Sequence, residues 1–278
     1  MKMNNKKVVL FSGYPRGFLS EYMTLLTSFR VLLKHNFLAE NIFIHDSMFY
    51  LYGNPINWFS QEKVSSNFEN SLHYNTMDSH SVSDWTTEEL SMFKTILPYG
   101  LLGEYMKYFP LNTRVQNILN KKKSITDSCL GLHYRGTDHQ GATLSNTNAG
   151  SGRVSVEIFI ENADKKLQTG QYNCLFLATD ENRVLDKLYN TFKQKYNSLD
   201  IFYNDCIRSN SDTAIHLDIN NGNKSSSLFT PEEKIKMGEE VLLDSQYLSF
   251  CSEVICRDSN IINYATVLNP KLKIHYLG

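Results

Sequence analysis

Paired cysteines are missing from this 278-residue sequence: its five cysteines include no CxxC, and Cys251 and Cys256 stand five apart. An odd count without zinc spacing reads as free thiols in a reducing compartment. Long apolar runs are missing as well. None approaches the roughly 20 residues of a membrane span. The apolar start, Val8 to Phe11, is too short for a signal-peptide core and reads as a first strand. The expectation is a cytoplasmic protein with no membrane span. Charge of one sign is lacking: 28 Lys and Arg against 29 Asp and Glu leave a net −1. That removes a global electrostatic case for nucleic acid or anionic membrane and leaves room for a local basic pocket. Glycine-rich signatures are absent too, with 14 glycines and neither GxxxxGK(S/T) nor a complete GxGxxG. There is no DxD, HExxH or GxSxG.

What is present is a folded composition, 41% hydrophobic and 21% charged, in which short strand-like runs alternate with helical patterns. KVVLFSG and NIFIHD read as strands, and the segment from Ser20 as a helix with Met23, Leu26, Phe29 and Leu33 at helical spacing. Residues 50 to 90 read as loops with short helices. TEELSMFKTILPYG and LNTRVQNILNKKKS read as helices, and the polar stretch Lys121 to Ser128 as a linker. Then SCLGLHYRG, NCLFLATDE, LDIFYND, EVICRDSN and KIHYL read as strands. Between them lie helices over SVEIFIENADKKLQTG, with a terminal Gly, NRVLDKLYNTFKQKY, PEEKIKMGEEVLLDSQYLSFC and IINYATVLN. The alternation predicts an α/β protein with largely parallel sheets. The polar run from Ser209 to Pro231 reads as a surface loop or lid.

In open α/β sheets ligands bind beyond the carboxyl ends of the strands. Three strands of the second half end in polar clusters: His133, Arg135, Thr137, Asp138 and His139; Thr179, Asp180 and Glu181; Arg257, Asp258, Ser259 and Asn260. Parallel, adjacent strands bring these clusters to one edge. Arg135 is the foremost anion ligand, because a planar guanidinium grips phosphate oxygens with parallel charge-assisted bonds. A salt bridge with Asp138 is the plainer alternative. Asp244 falls on the apolar arc of its helix, between Leu248 and Cys251, where a carboxylate is costly unless paired. The two-donor edge of guanine is one partner; a helix–loop tie is the other. Near the start, Arg16 and Gly17 precede a helix whose N-terminus could hold an anion, or form a plain strand–helix turn.

Three of these segments together resemble the fucosyltransferase superfamily of α1,6-, nodulation and protein O-fucosyltransferases. GLHYRGTD resembles its first signature, H-x-R-R-x-D. LFLATDE is similar to its second motif, a strand ending in A-T-D-D. GEEVLLDSQYLSFCSEVICRDSNIINYA resembles the third, a helix with a central Asp and a strand ending in Ser-Ser or Ser-Asn. They occur in order across roughly residues 129 to 265. GYPRGFLSEYMTLLTSFRVLLKHN loosely resembles the loop and helix that open the family's first domain.

The resemblance implies a GT-B-like fold, two Rossmann-like domains facing a cleft: residues 1–122 as the acceptor side and 123–278 as the nucleotide-sugar side. It implies metal-independent, inverting transfer of fucose from GDP-fucose to an oligosaccharide or other glycan hydroxyl, with no cofactor beyond the donor. Arg135 matches the arginine on the donor's phosphates, His133 and Asp244 match positions near the guanosine, Ser259 and Asn260 the loop at the pyrophosphate, and Asp180 a supporting aspartate. Two departures stand out. Gly136 replaces the second arginine, leaving Arg16 or Arg257 to supply its charge. Thr143 stands where the α1,6 enzymes carry a carboxylate, leaving Asp138, His139 or Glu21 as the base. The alternatives are another GDP- or UDP-linked sugar such as xylose, a non-catalytic nucleotide- or glycan-binding protein, and a dinucleotide oxidoreductase, which the missing glycine fingerprint disfavours. The aromatics Tyr50, Tyr52, Trp58, Phe59 and Trp85 could stack on sugars, but packing is the reading for most of them.

Overall fold

The computed structural model describes residues 7–12, 17–34, 36–46, 48–66, 71–75, 99–120, 128–135, 154–210 and 229–277. The chain divides into two compact units. One is Met1–Asn120 with Thr230–Glu239; the other is Lys121–Phe229 with Glu240–Gly278.

The first unit holds four parallel strands, β1 (Lys7–Phe11), β2 (Ile42–His45), β3 (Val64–Ser65) and β4 (Ser71–Asn75), in the order β3-β2-β1-β4. Helix α1 (Phe18–Lys34) begins two residues before the expected Ser20 and buries Tyr22, Leu25, Leu26, Phe29 and Leu32. Its spacing places those side chains on one face, as an amphipathic helix on a sheet requires. Helix α2 (Thr113–Asn120) starts where the Asn112 carboxamide oxygen accepts the Val115 amide at 3.0 Å. The stretch expected as loops and short helices does contain 3-10 turns at Tyr50–Tyr52, Pro55–Asn57 and Gln61–Lys63. It also contributes β3 and β4, which the sequence reading did not contain. The helix expected over residues 87–100 falls on residues outside those described, apart from Tyr99 and Gly100, which open a 3-10 helix over Tyr99–Tyr108.

Three of the aromatics considered for sugar stacking are packed inside this unit. Trp58 and Phe59 are fully buried, Tyr52 is nearly so, and the Trp58 indole donates to the Tyr52 carbonyl at 3.0 Å. Phe18 meets the rings of Trp58, Phe49 and Tyr52 at 4.4, 5.2 and 5.6 Å. The side chain of Tyr50 and the whole of Trp85 lie outside the described residues.

The second unit is a five-stranded parallel sheet: β5 (Cys129–Tyr134), β6 (Cys174–Thr179), β7 (Asp200–Tyr203), β8 (Glu253–Cys256) and β9 (Lys273–Tyr276). Its order is β7-β6-β5-β8-β9. Counted from its own first strand this is 3-2-1-4-5, the doubly wound order, with the topological switch point between β5 and β8. Every residue of β5 and β6 is buried, as expected of central parallel strands covered on both faces. Leu130, Leu132 and Tyr134 face one core, shared with Phe159 and Ala163 of α3 (Val156–Leu167) and Val184, Leu188 and Phe192 of α4 (Asn182–Lys195). Cys129, Phe176 and Ala178 face the other core, shared with Leu248 of α5 (Pro231–Phe250) and Ile262 and Ala265 of α6 (Asn260–Leu268).

Two glycines mark close packing along and beside α5. A Cβ on Gly131 would stand 3.0 to 3.1 Å from Val254 Cγ2, Cys251 Sγ and Leu248 Cδ2. In the first unit, a Cβ on Gly238 would stand 2.5 Å from the Trp58 ring. A buried indole cannot retreat cheaply, and overpacking of this kind costs about 1–3 kcal/mol. Alanine's helix propensity offsets about 1 kcal/mol of that. Gly238→Ala is therefore expected to lower stability in chemical denaturation, and Gly238→Ala with Trp58→Phe to recover part of the loss. A Gly238→Ala protein as stable as the parent would contradict this packing.

Candidate functional site

Parallel pairing of β5 with β6 on one side and β8 on the other carries their three polar ends to one edge of the sheet. The convergence expected from sequence is therefore present. His133, the penultimate residue of β5, is 3% exposed and pairs in register with Ala178 and Cys256. Its Nδ1 lies 3.4 Å from Ser259 Oγ. Ser259 is the N-cap of α6: its Oγ also accepts the Ile262 amide at 3.3 Å, and its carbonyl accepts the Asn263 amide at 2.9 Å. A β-region N-cap serine followed by helix-forming residues is the local reason a helix starts here. Asn260 opens its first turn. Strand β5 and the N-terminus of α6 thus meet at the switch point through His133 and Ser259, with Arg135 just beyond the strand and half-buried.

At the end of β6 the backbone continues to pair. The Asp180 carbonyl accepts the Ser209 amide at 2.8 Å, and Ser209 returns a carbonyl to the Asn182 amide at 3.0 Å. Glu181 is fully buried, and Arg183 Nε binds its carboxylate at 2.7 Å. Ser209, the first residue of the expected lid, is thereby tied to the sheet edge; residues 211–228 of that segment lie outside those described.

Asp244 lies on α5 beside the segment that follows β7. It is 7% exposed, and its Oδ1 meets no hydrogen-bond partner among the described residues. Asn204 Nδ2 donates to the Glu240 carbonyl at 3.4 Å, and Asn204, Arg208 and Glu240 all bear on the Asp244 carboxyl. Burial dominates and lifts its pKa to about 7, with Arg208 opposing and Glu240 adding to the rise. The mainstay of this segment is Arg208. It donates from Nε to the Thr179 carbonyl at 3.1 Å, from Nη1 to Cys206 at 3.3 Å and from Nη2 to Asn204 at 2.5 Å. Its guanidinium also lies 5.5 Å from the Tyr203 ring. Glu240, one turn before Asp244, accepts the Ile207 amide at 3.0 Å. Asn204, Arg208 and Glu240 were not singled out from the sequence. Glu240 had a signal, four residues before Asp244 on one helix face; Asn204 and Arg208 follow only from where β7 ends.

Five expected residues come from outside this group or outside the described residues. Arg16, Asp138 and His139 are not among the described residues. Gly17 precedes α1 in the first unit, where an added Cβ would meet only Tyr52 Oη, at 3.9 Å. Glu21, weighed as a base, is 2% exposed, and its carboxylate accepts the amide of Phe49, a residue in the left-handed region at φ 62°. On the opposite face of the second sheet, a cavity of about 430 Å³ is lined by Tyr134, Ser155, Val156, Arg183, Val184 and Lys187.

No family model matches the sequence, and no curated protein matches it significantly. Solved structures do match across nearly the whole chain. The NodZ α-1,6-fucosyltransferase co-crystallised with GDP has a TM-score of 0.54 at 13% identity, covering 99% of this chain and 96% of that one. The NodZ fucosyltransferase from Bradyrhizobium has 0.51 at 13%, covering 96% and 94%. POFUT1 in complex with GDP-fucose has 0.53 at 8%, covering 99% and 98%. Two parallel-sheet α/β units in one chain are thus the arrangement of a fucosyltransferase-like fold, and this chain has that fold.

Proposed function

We propose that the protein is a metal-independent, inverting glycosyltransferase that moves fucose from GDP-fucose to a glycan hydroxyl. The reading rests on the fold it shares with structures that bind GDP and GDP-fucose. It rests above all on Asp244, a buried carboxylate with an unmatched oxygen among the described residues. Such an atom is costly in a finished core and useful at a ligand site. The N1–H and N2 amine of guanine form a two-donor edge that an ionised carboxylate matches; uracil offers one N–H.

In this proposal Arg135 and the N-terminus of α6 neutralise the departing diphosphate. Ser259 Oγ and its carbonyl already hold the amides of Ile262 and Asn263. The earlier amides, of Asn260 and Ile261, are the ones a phosphate would take. His133 orients this helix start through Ser259. A base removes the acceptor proton as the hydroxyl attacks the anomeric carbon from the face opposite the leaving diphosphate. Asp138 and His139, four and five residues past the end of β5 in sequence, are our candidates. Preorganised donors of this kind are worth about 10²–10³-fold in rate each. Arg135→Ala is expected to lower GDP release from GDP-fucose, assayed with glycan acceptors in EDTA, by about that factor. Undiminished turnover in a folded Arg135→Ala protein would remove Arg135 from the mechanism.

The pKa of Asp244 sets a second test. A folded-state pKa of about 7, above the usual carboxylate value, means the folded protein holds a proton the unfolded chain has lost. This contribution to stability is full below pH 4 and disappears as pH rises through about 7. Guanine binding needs the ionised form, so GDP affinity should rise about tenfold per pH unit up to about 7 and then level. Asp244→Asn should flatten the affinity profile, weaken GDP binding at pH 8, and raise stability at pH 8 but not at pH 4. GDP affinity independent of pH in the parent and unchanged in Asp244→Asn would overturn the guanine assignment.

A further inference from the structure

A nucleoside diphosphate brings two phosphates to a site where the sequence supplies Arg135 followed by Gly136. Four described arginines stand at the carboxyl rim of the second sheet: Arg135 after β5, Arg183 in the first turn of α4, Arg208 after β7 and Arg257 after β8. Arg183 and Arg208 are held by partners within the second unit. Arg183 binds the buried Glu181 carboxylate, and Arg208 donates from all three nitrogens to main-chain carbonyls. Arg257 differs. Its Nη1 is buried and meets no hydrogen-bond partner among the described residues. A buried guanidinium N–H without an acceptor is costly, more so than a neutral donor. Its nearest carboxylate in sequence, Asp258, is exposed.

The place of Arg257 matters as much as its unmatched nitrogen. β8 flanks the switch point with β5, and His133 lies opposite Cys256 in register. Continuing that register sets Arg257 level with Tyr134 and Asp258 level with Arg135, on strands about 4.8 Å apart. Two residues on, Ser259 caps α6. An arginine with an open donor, one strand from Arg135 and beside a helix N-terminus, meets the electrostatic needs of a diphosphate.

We propose that Arg257 is the second diphosphate ligand of this site, supplying from β8 the charge that Gly136 does not supply from the β5 loop. The inference rests on the donor-site reading above and assigns one residue within it. Arg208 is less suited to the role because each of its three nitrogens already donates to a main-chain carbonyl.

The test is calorimetric titration, without metal, of the parent, Arg257→Gln and Arg257→Lys proteins with GDP, UDP, guanosine and uridine, after thermal melts establish that each variant is folded. Loss of a charge-assisted bond to phosphate is expected to weaken GDP binding by roughly ten- to hundredfold in Arg257→Gln. Guanosine binding should not change. Arg257→Lys should recover part of the loss, since it keeps the charge but not the fork. A parent that prefers UDP, with the same loss confined to UDP over uridine, would support Arg257 while overturning the guanine reading. GDP binding by the parent that Arg257→Gln leaves intact, or equal loss for GDP and guanosine, would overturn this inference alone. A parent that binds neither nucleotide would overturn both.

Discussion

The close passage of α5 over β5 is the constraint on which the second unit depends. Gly131 lets Leu248, Cys251 and Val254 come to the backbone of the central strand, where any Cβ would meet them at about 3.0 to 3.1 Å. With the helix seated there, Leu248 and Cys251 complete the core beneath it. Asp244, one turn earlier on the same face, is then carried to the segment after β7, where Asn204 and Arg208 lie. The burial that gives the helix its purchase also raises the pKa of that carboxyl to about 7. Packing and candidate chemistry here share one cause, because the apolar contacts that fix α5 also desolvate its aspartate.

The rim of the sheet shows a division of labour among its charges. Arg208 and Glu240 fix main chain, one through three carbonyls and the other through the Ile207 amide. Glu181 and Arg183 pair with each other at the start of α4. Asp244 Oδ1 and Arg257 Nη1 are a buried acceptor and a buried donor, each lacking a partner among the described residues, as does Glu240 Oε1 beside Asp244. A ligand with donors at one end and anionic acceptors at the other is the complement of such a pair. A nucleoside diphosphate with a guanine base has that polarity.

Much of the second unit was legible in the sequence because its central strands are short, largely apolar runs that end abruptly in charge, as in CLGLHY before Arg135 and CLFLAT before Asp180. Parallel central strands must read this way, since both faces are covered. Asp244 was visible for the opposite reason, as a carboxylate on an apolar arc. The first unit was harder. β3 has two residues, and the alternation of β4, Ser71–Asn75, rests on Leu72 and Tyr74 alone, so its pairing beside β1 is set by tertiary context rather than by so short a local pattern. The aromatics of residues 49–59 carried no sign of which rings pack, and in the structure Phe49, Trp58 and Phe59 form core. The support from Asn204 and Arg208 depends on where β7 stops and how its following segment turns back to β6, which no periodicity encodes.

The central claim is that a guanine nucleotide is read by Asp244 while its diphosphate lies over the start of α6 at the β5–β8 switch point. A crystal structure with GDP bound tests it most directly. The account predicts the guanine N1–H and N2 amine within hydrogen-bond distance of the Asp244 carboxylate, and phosphate oxygens at the amides of Asn260 and Ile261 and at Arg135. GDP bound elsewhere in the second unit, or with its base away from Asp244, would contradict it.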